Sequence, residues 1–213
     1  MITIFITNFN RPEYISRSML SLRDKQGDCS VVLFDDNSDV ANFVQAVAVT
    51  PPSWWIIRNN RNHGIYKQIA LISEFLTTEY VYIANSDMDY IDGFYDMLLE
   101  GVKLIEEHDT VATLYNSNKH APDEDINENW LWKKTIGGPS VLMNQKLFRE
   151  FLKSPYYKDA QKSWDWKLVN FLKEKGKRFA VSKKSYARHF GVQGINHPES
   201  INQENADLPV DPL

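Results

Sequence analysis

Short apolar runs recur along the first half of the chain and alternate with segments of helical periodicity. Five of these runs predict strands: 2–7, 30–34, 54–58, 80–84 and 111–115. After the first run, Pro12 stands where a helix would begin, and Ile15, Met19 and Leu22 fall on one helical face. The same spacing recurs later in two further groups: Ile65, Ile69, Ile72 and Leu76, then Phe94, Leu98 and Ile105. Strands that alternate with helices predict βαβ units and a mostly parallel sheet.

The second half of the chain is less regular. Segment 116–130 is polar and acidic and contains Pro122, which predicts a long loop. The elements predicted after it are a short strand in 137–144, a helix in 145–152, a helix after 163–166 and a strand near 178–182. With no repeat or linker visible, we predict a single domain over 1–213, composed of halves 1–115 and 116–195 and a polar tail, 196–213.

Composition limits the classes of protein to consider. A chain of 213 residues with 43% hydrophobic content can bury one sizeable core. The formal charge of −4 argues against general binding to a polyanion, although a local basic patch is compatible with it. Cys29 has no second cysteine to pair with, and the first ten residues lack the features of a signal peptide, so we expect a cytoplasmic protein. No apolar run approaches the roughly 20 residues that span a bilayer.

Polar side chains follow four of the predicted strands. The polar segments at these strand ends, called tips below, are TNFNR (7–11), DDNS (35–38), NNRNHG (59–64) and NSDMD (85–89). Asn, Asp and Ser also form ordinary turns, which explains any single tip equally well. Because ligands of parallel sheets bind beyond the carboxyl ends of the strands, four such tips together predict one polar crevice.

Asp87 and Asp89 stand one residue apart at the last of these tips. Two close carboxylates repel each other and are costly to desolvate, so we expect a positive group between them. Mg²⁺ and Mn²⁺ prefer oxygen ligands and are commonly held by one or two carboxylates together with substrate phosphates. An Asx turn that opens the next helix is the simpler alternative, and it needs only one of the two aspartates.

A D-x-D motif after an apolar strand is also how phosphatases of the haloacid dehalogenase type present their nucleophile. In those proteins the motif lies on the first strand, whereas here it follows the fourth and is succeeded by Tyr90 and Ile91. A later Gly-Asp motif that would complete such a site is absent from the sequence. This class therefore remains a minor alternative.

Taken together, these motifs resemble those of the family 2 glycosyltransferases of the GT-A fold. ITIFITNFNRPEYISRSMLSL (2–22) resembles the opening strand, turn and helix of that family, and VVLFDDNS (31–38) resembles its second strand with the D-D-x-S signature. NNRNHG resembles the N-x-G turn before the third helix, and NSDMD the metal-binding D-x-D. The order and spacing of the four motifs also agree.

The resemblance implies an α/β fold of the GT-A class, with a Rossmann-like, mostly parallel central sheet flanked by helices. It implies that 1–115 binds a nucleoside-diphosphate sugar, most readily a UDP-sugar, and that Mn²⁺ or Mg²⁺ is the cofactor. Asp36 would contact the nucleotide base. The Arg-Asn pair common in the third helix of the family is absent, which leaves Lys67 as the candidate for the diphosphate. The full set of implied nucleotide-sugar contacts is Thr7, Asn8, Asn10, Arg11, Asp36, Asn62, Lys67 and Asp87.

The resemblance extends into 116–195, the half that would carry the acceptor and catalysis. SWDWKLVNFLKEKG (163–176) resembles the segment with the catalytic base, here Asp165 between Trp164 and Trp166, where the family often has Glu-Asp. GGPSVLMN (137–144) resembles the acceptor-side turn, with Gly137 and Gly138. A carboxylate that takes the proton of an attacking hydroxyl suits transfer with inversion. For Asp165 the alternative role is a helix N-cap.

The last matching segment is YARHFGVQGINH (186–197), which resembles the late His-x-Gly segment of the family. It implies that His189 joins Asp87 and Asp89 as a metal ligand. A histidine that is simply hydrogen-bonded in a loop is an equally good alternative.

Basic residues are concentrated in one span near the end of the chain. They are Lys173, Lys175, Lys177, Arg178, Lys183, Lys184 and Arg188. One hypothesis is a phosphate-rich acceptor, such as a lipid-linked glycan or DNA with hydroxymethylated bases of viral type. The simpler interpretation is a solvated helix end and hairpin.

Two further functions are compatible with the same fold. One is a nucleotide-sugar-binding scaffold without catalysis, against which the presence of Asp87, Asp89, Asp165 and His189 argues. The other is a sugar-nucleotide pyrophosphorylase, which would be expected to carry a glycine-rich loop after the first strand, whereas TNFNRP (7–12) contains no glycine.

Overall fold

The structure is a computed structural model that describes residues 1–158, 163–191, 193–194 and 197–201. Its strands are β1 Ile2–Asn8, β2 Ser30–Asp35, β3 Trp55–Arg58, β4 Tyr80–Asn85, β5 Met88–Tyr90, β6 Val111–Thr113, β7 Pro122–Asp125, β8 Trp130–Lys133, β9 Ser140–Asn144, β10 Phe179–Ser182, β11 Ala187–His189, β12 Gln193–Gly194 and β13 His197–Ile201. Its helices are α1 Pro12–Leu22, α2 Val40–Val49, α3 Gly64–Phe75, α4 Phe94–His108, α5 Gln145–Lys153, α6 Pro155–Lys158 and α7 Trp164–Glu174.

A nine-stranded sheet organises the chain, with the strand order β3-β2-β1-β4-β9-β6-β10-β8-β7. The first four strands in this order are parallel to one another, and β9 runs antiparallel to both β4 and β6. Two small antiparallel pairs, β11 with β5 and β12 with β13, lie outside this sheet. The prediction of an α/β fold with a large, mostly parallel sheet is confirmed.

Helices cover both faces of the sheet, and the alternation of side chains along each strand assigns residues to one face or the other. Ile4 and Ile6 of β1 belong to the core beneath α1, α2 and α4, while Phe5 between them belongs to the core beneath α3, α5 and α7. The predicted apolar face of α1 is fully buried, as expected. This sandwich places the carboxyl ends of β1, β2 and β4 at a single edge of the molecule.

Several predicted strands differ from the structure at their ends. The third run begins one residue later, at Trp55, and forms the edge of the sheet, so that Trp55 is 71% exposed. The fifth run ends at Thr113, two residues earlier than predicted. Ile65, predicted to lie on an apolar face, is exposed because it belongs to the first turn of α3, at the mouth of a cleft.

The prediction of a loop over 116–130 was wrong for its centre, where β7 forms an antiparallel pair with β8. All four side chains of β7 are exposed, so the strand carries no apolar alternation that the sequence could reveal. The predicted tail, 196–213, is described only at 197–201, which form β13; residue 196 and residues 202–213 lie outside the described part. In the described segments, no helix combines the length and apolar character needed to cross a bilayer.

Candidate functional site

A cleft of about 390 Å³ opens at the carboxyl ends of the parallel strands. One wall comes from the tips of β1, β2 and β4 and the start of α3, and the other from the 137–139 turn and the start of α7. The predicted site residues that line it are Thr7, Asn8, Arg11, Asp36, Asn62, Asp87, Gly137, Gly138, Trp164, Asp165 and His189. Four others, Asn10, Lys67, Asp89 and Trp166, are not among its lining residues.

The floor of the cleft is built where β1 and β2 end. The side-chain amide of Asn8 donates a hydrogen bond to Asp35 Oδ1 at 2.9 Å. The Asn8 Oδ1 atom is buried and has no hydrogen-bond partner among the described residues. Asn10, with a φ of 51°, turns away and accepts hydrogen bonds from the Asp39 backbone N–H at 2.7 Å and the Asn42 amide at 3.2 Å. Asn10 therefore holds the turn, while Asn8 lines the cleft and keeps a buried acceptor without a partner among the described residues.

Asp36 links the floor to the start of α3. Its carboxylate accepts hydrogen bonds from the Asn59 amide at 2.7 Å, the His63 backbone N–H at 3.0 Å and the Gly64 backbone N–H at 2.7 Å. A carboxylate at a helix N-terminus satisfies free N–H groups and interacts favourably with the helix dipole. Asn62 adds a 2.8 Å hydrogen bond from Gly64 N–H to its side-chain oxygen. Lys67, on the same helix, is exposed and lies outside the cleft.

Asp87 is the buried carboxylate of the cleft. Its Oδ2 atom lies 2.5 Å from Arg11 Nη1 and 3.2 Å from His189 Nε2. Burial alone would raise the pKa of Asp87, but the hydrogen bond and charge of His189, together with Arg11, outweigh it and lower the pKa below 3.8. The second oxygen, Oδ1, is buried without a hydrogen-bond partner in the described part of the chain, as is His189 Nδ1.

Asp89 is held elsewhere, on β5. Its two oxygens each accept a 3.0 Å hydrogen bond from Arg17 Nε, and Arg17 Nη2 adds a third. Each carboxylate therefore has its own arginine, Arg11 just before α1 and Arg17 within it, and a further positive group between the two aspartates stays a prediction. As a metal ligand, Asp89 stays a prediction, and ligation would require Arg17 to release it.

The two arginines are the outer layers of an aromatic stack. Arg11 lies over the Tyr14 ring at 3.9 Å, Tyr14 stacks on Phe190 with centroids 5.6 Å apart, and Arg17 lies over Phe190 at 4.1 Å. Cation–π contacts of this kind stabilise both partners. The stack fixes the segment after β11 against α1, and with it the position of His189.

A close glycine contact forms the opposite wall. A Cβ placed on Gly138 would lie 2.9 Å from the Asp165 Cβ and 3.2 Å from the Trp164 ring, so only glycine allows α7 to approach this closely. Trp164 is buried, whereas Trp166 is 49% exposed on the outer side of the helix. The turn and the helix therefore depend on each other for their placement.

Asp165 is the second residue of α7 and half-buried at the cleft. Its Oδ1 atom accepts a hydrogen bond from the Ser163 hydroxyl and another, at 2.8 Å, from the Trp166 backbone N–H. The N-cap position belongs to Ser163, so Asp165 is not the N-cap residue, but its bond to the Trp166 N–H satisfies a free backbone group of the first turn, as that alternative expected.

The basic segment lies outside the cleft and is largely paired with acidic side chains. The pairs are Lys175 with Glu150 at 3.0 Å, Lys177 with Asp109 at 2.7 Å, Arg178 with Asp123 at 2.9 Å and with Glu124 at 2.6 Å, and Lys183 with Asp125 at 2.8 Å. Three of the acidic partners belong to β7. The acidic residues of β7 thus pair with Arg178 and Lys183 of the basic segment.

Nine further lining residues were not among the predicted site residues: Phe9, Gly64, Ile65, Gln68, Asn85, Ser86, Pro139, Ser163 and Gly191. Four of them, Phe9, Gly64, Asn85 and Ser86, nevertheless belong to the polar strand ends that predicted the crevice. Asn85 ends β4, so the residues that enter the cleft at this tip are Asn85, Ser86 and Asp87. The apolar run that stops at Ala84 was a usable signal for this register, because the residues directly after a parallel strand are those at its carboxyl end.

The cleft provides some of the ligand atoms that a divalent cation requires. Across the described ranges, no cluster of three or more His, Cys, Asp or Glu side chains is arranged to hold a metal ion. Mg²⁺ and Mn²⁺ are nevertheless commonly held by one or two protein ligands, with substrate phosphates and water supplying the rest. The unpaired Asp87 Oδ1 and the adjacent His189 imidazole fit that smaller requirement.

One known protein family matches most of the chain. The model of glycosyl transferase family 2 matches residues 3–170, which is most of the chain. No curated protein matches the sequence.

Solved structures supply the fold. The chain is similar to residues 1–349 of TarS from S. aureus, with 17% identity, a TM-score of 0.59, and coverage of 87% of this chain and 59% of that one. It is also similar to GalNAc-T7, solved with UDP, GalNAc and Mn²⁺, at 10% identity, a TM-score of 0.63, and coverage of 85% and 42%. A third similar structure is the mannosyltransferase PcManGT from Pyrobaculum calidifontis with GDP-Man and Mn²⁺, at 12% identity, a TM-score of 0.59, and coverage of 84% and 56%. The chain thus spans between about two fifths and three fifths of the length of these structures.

Proposed function

Because the chain belongs to glycosyl transferase family 2 and has the GT-A fold, we propose that it transfers a sugar from a nucleoside-diphosphate sugar to an acceptor hydroxyl. The observation that carries the proposal is the cleft itself, in which Asp36, Asp87 and His189 on one wall face Asp165 on the other. A volume of about 390 Å³ lies within the range of small-ligand sites. UDP is the proposed carrier, supported by the UDP in one similar structure, although another holds GDP-Man.

The wall formed by residues of 1–115 is the proposed donor side. Asn8 Oδ1 is a buried acceptor that can receive a hydrogen bond from the nucleotide, and Asp36 fixes the start of α3 beside it. Arg11 supplies a guanidinium, whose planar set of donors matches the oxygens of a diphosphate. Thr7, which donates to the Ala84 carbonyl at 3.1 Å, holds β1 and β4 in place beneath these groups.

The wall formed by the 137–139 turn and the start of α7 is the proposed acceptor side. Asp165 is the proposed general base, because a carboxylate at the rim of the cleft can take the proton of an acceptor hydroxyl as that hydroxyl attacks the anomeric carbon. Its Oδ1 atom is already held by Ser163 and Trp166 N–H, which fixes the orientation of the carboxylate. Attack on the face opposite the leaving diphosphate gives inversion. Gly137 and Gly138 let the backbone approach the acceptor at this wall.

Mn²⁺ or Mg²⁺ is the proposed cofactor, with Asp87 and His189 as its protein ligands. When bound, the ion would neutralise the negative charge that develops on the departing nucleoside diphosphate. The predicted third ligand, Asp89, would join them only if Arg17 released its oxygens. The Mn²⁺ in two of the similar structures supports the proposal.

A neutral hydroxyl-bearing glycan is the proposed acceptor. The hypothesis of a phosphate-rich acceptor, whether a lipid-linked glycan or DNA, loses its main support because acidic residues of β7 pair with Arg178 and Lys183.

The direct test is a turnover assay. Purified protein is incubated with UDP-, GDP- and TDP-sugars and Mn²⁺, and release of the nucleoside diphosphate is followed with and without a panel of glycan acceptors. We expect release from one donor class, slow with water alone and faster with a suitable acceptor. Nucleotide-sugar binding without release under any condition would instead indicate the non-catalytic scaffold.

A further inference from the structure

Asp87, the proposed metal ligand, already has a positive partner in the protein itself. Arg11 Nη1 lies 2.5 Å from Asp87 Oδ2, and both side chains are largely buried, at 14% and 5% exposed. The guanidinium is held from behind by the Tyr14 ring at 3.9 Å. The charge of the carboxylate is therefore balanced before any ligand enters.

Access to this carboxylate is also restricted. Oδ2 is surrounded by Arg11, His189 and the backbone of Gly191, where an added Cβ would lie 2.1 Å from it. Of the two carboxylate oxygens of Asp87, only Oδ1 lacks a hydrogen-bond partner among the described residues. A divalent ion bound to Oδ1 would lie within a few ångströms of the guanidinium, and two positive charges that close repel strongly in a partly buried site.

A diphosphate removes this conflict. It carries negative charge of its own, and guanidinium groups bind phosphate oxygens through paired hydrogen bonds. If Arg11 moved to the diphosphate, the Asp87 carboxylate would become available to the metal. Arg11 can therefore weaken binding of the metal alone and favour binding of the metal together with the nucleotide.

We propose that Arg11 is the resident counter-ion of Asp87 and that it makes metal binding in the cleft dependent on the nucleoside diphosphate. The identity of the nucleotide in this inference rests on the proposed function. The effect of Arg11 on binding of the metal alone does not depend on the proposed function. Arg11 is in this sense a specificity-determining residue, which lets the cleft discriminate the metal–nucleotide complex from the free ion.

The chain contains a matched control. Arg58 also pairs with a buried aspartate, Asp35, at 3.6 Å, and it also lies over an aromatic ring, that of Phe43. The difference is location, since Arg11 and Asp87 line the cleft and Arg58 and Asp35 do not. Removal of either arginine changes the net charge by the same amount.

The experiment measures Mn²⁺ binding by electron paramagnetic resonance, without nucleotide, for the wild type, Arg11→Gln, Arg58→Gln and the double variant Arg11→Gln/Asp87→Asn. We expect weak uptake by the wild type and at least tenfold tighter binding by Arg11→Gln. The double variant should lose this gain, and Arg58→Gln should behave as the wild type. Arg11→Met, which retains alkyl contact with Tyr14, replaces Arg11→Gln if melting curves show that the latter does not fold.

Three results would overturn the inference: tight Mn²⁺ binding by the wild type alone, no gain on removal of Arg11, or an equal gain on removal of Arg58. Addition of UDP or GDP then separates this inference from the proposed function. We expect the nucleotide to raise Mn²⁺ uptake by the wild type severalfold and that of Arg11→Gln by less. If the variant gains Mn²⁺ but no nucleotide binds to either protein, the proposed function fails and the role of Arg11 as counter-ion stands.

Discussion

Gly191 lies so close to Asp87 that a Cβ on the glycine would be 2.1 Å from the carboxylate Oδ2. These residues are more than 100 positions apart and belong to different halves of the chain. The proximity brings the segment after β11 over the donor side of the cleft, where His189 reaches the same oxygen. The donor side is thus completed by the second half of the protein.

Replacement of Gly191 by alanine tests this contact. The added methyl group must displace Asp87 or the backbone around Gly191, because no real Cβ contact is that short. We expect at least a tenfold loss of nucleotide affinity, measured by calorimetry with Mn²⁺. Gly176→Ala is the control, since it adds a Cβ at a positive φ of 67° but meets nothing within 4 Å. It should lower the melting temperature slightly and leave affinity unchanged; equal losses in both variants would contradict the account.

Asp165→Asn tests the general base. The amide keeps the size of the side chain but cannot take a proton, so we expect turnover to fall by roughly 10²- to 10⁴-fold. Nucleotide affinity should stay within about twofold, because Asp165 lies on the opposite wall. Glu174→Gln, at the far end of the same helix, is the control for a lost carboxylate. Turnover of Asp165→Asn close to that of the wild type would remove Asp165 from the mechanism.

Asp87→Asn should destabilise the protein in a pH-dependent way. The substitution leaves Arg11 and His189 without their counter-ion, and breaking a buried ion pair costs about 3 kcal/mol. Because the folded-state pKa of Asp87 lies below 3.8, its stabilising effect is present above about pH 4 and is lost as the pH falls through that lower value. The difference in unfolding free energy between the wild type and the variant should therefore be largest above pH 4 and shrink below it.

Urea denaturation at a series of pH values measures this difference. Asp92→Asn, whose side chain is fully exposed, should differ from the wild type by no more than about 0.5 kcal/mol throughout. A difference for Asp87→Asn that grows as the pH falls would reverse the expected sign.

The pairing of β7 with the basic segment predicts a masked affinity for polyanions. Substitution of Asp123, Glu124 and Asp125 by the matching amides frees Arg178 and Lys183 from their acidic partners. We expect the triple variant to elute from heparin at clearly higher salt than the wild type. Substitution of the exposed residues Asp28, Glu74 and Asp96 by the matching amides changes the net charge equally at other positions and is the control. Equal shifts in both would mean that net charge alone decides retention.

Much of the fold could be predicted because its strands are apolar runs that end in polar tips. The gathering of Asp36, Asn62 and Asp87 at one edge follows directly from parallel strands. The orientation of Asp87 and Asp89 could not be predicted in this way. It depends on the pairing of β5 with β11, nearly 100 residues further on, and on Arg11 just before α1 and Arg17 within it, which the sequence does not mark as partners.

Other features depend equally on distant contacts. β7 has only exposed side chains and exists through its hydrogen bonds to β8, so no apolar pattern could reveal it. The assignment of Lys67 to the diphosphate assumed a side chain directed toward the cleft, whereas α3 presents Gly64, Ile65 and Gln68 there. Arg11, at the end of β1, is the cation that the fold places in the cleft.

The central claim is a nucleoside-diphosphate site centred on Asp87. Calorimetric titration of the wild type, Asp87→Ala and Asp92→Ala with UDP, GDP and TDP, each with Mn²⁺ and with EDTA, tests it most directly. The account predicts Mn²⁺-dependent binding of one nucleotide by the wild type and Asp92→Ala, and its loss in Asp87→Ala. Failure of all three nucleotides to bind the wild type, or undiminished binding by Asp87→Ala, would contradict it.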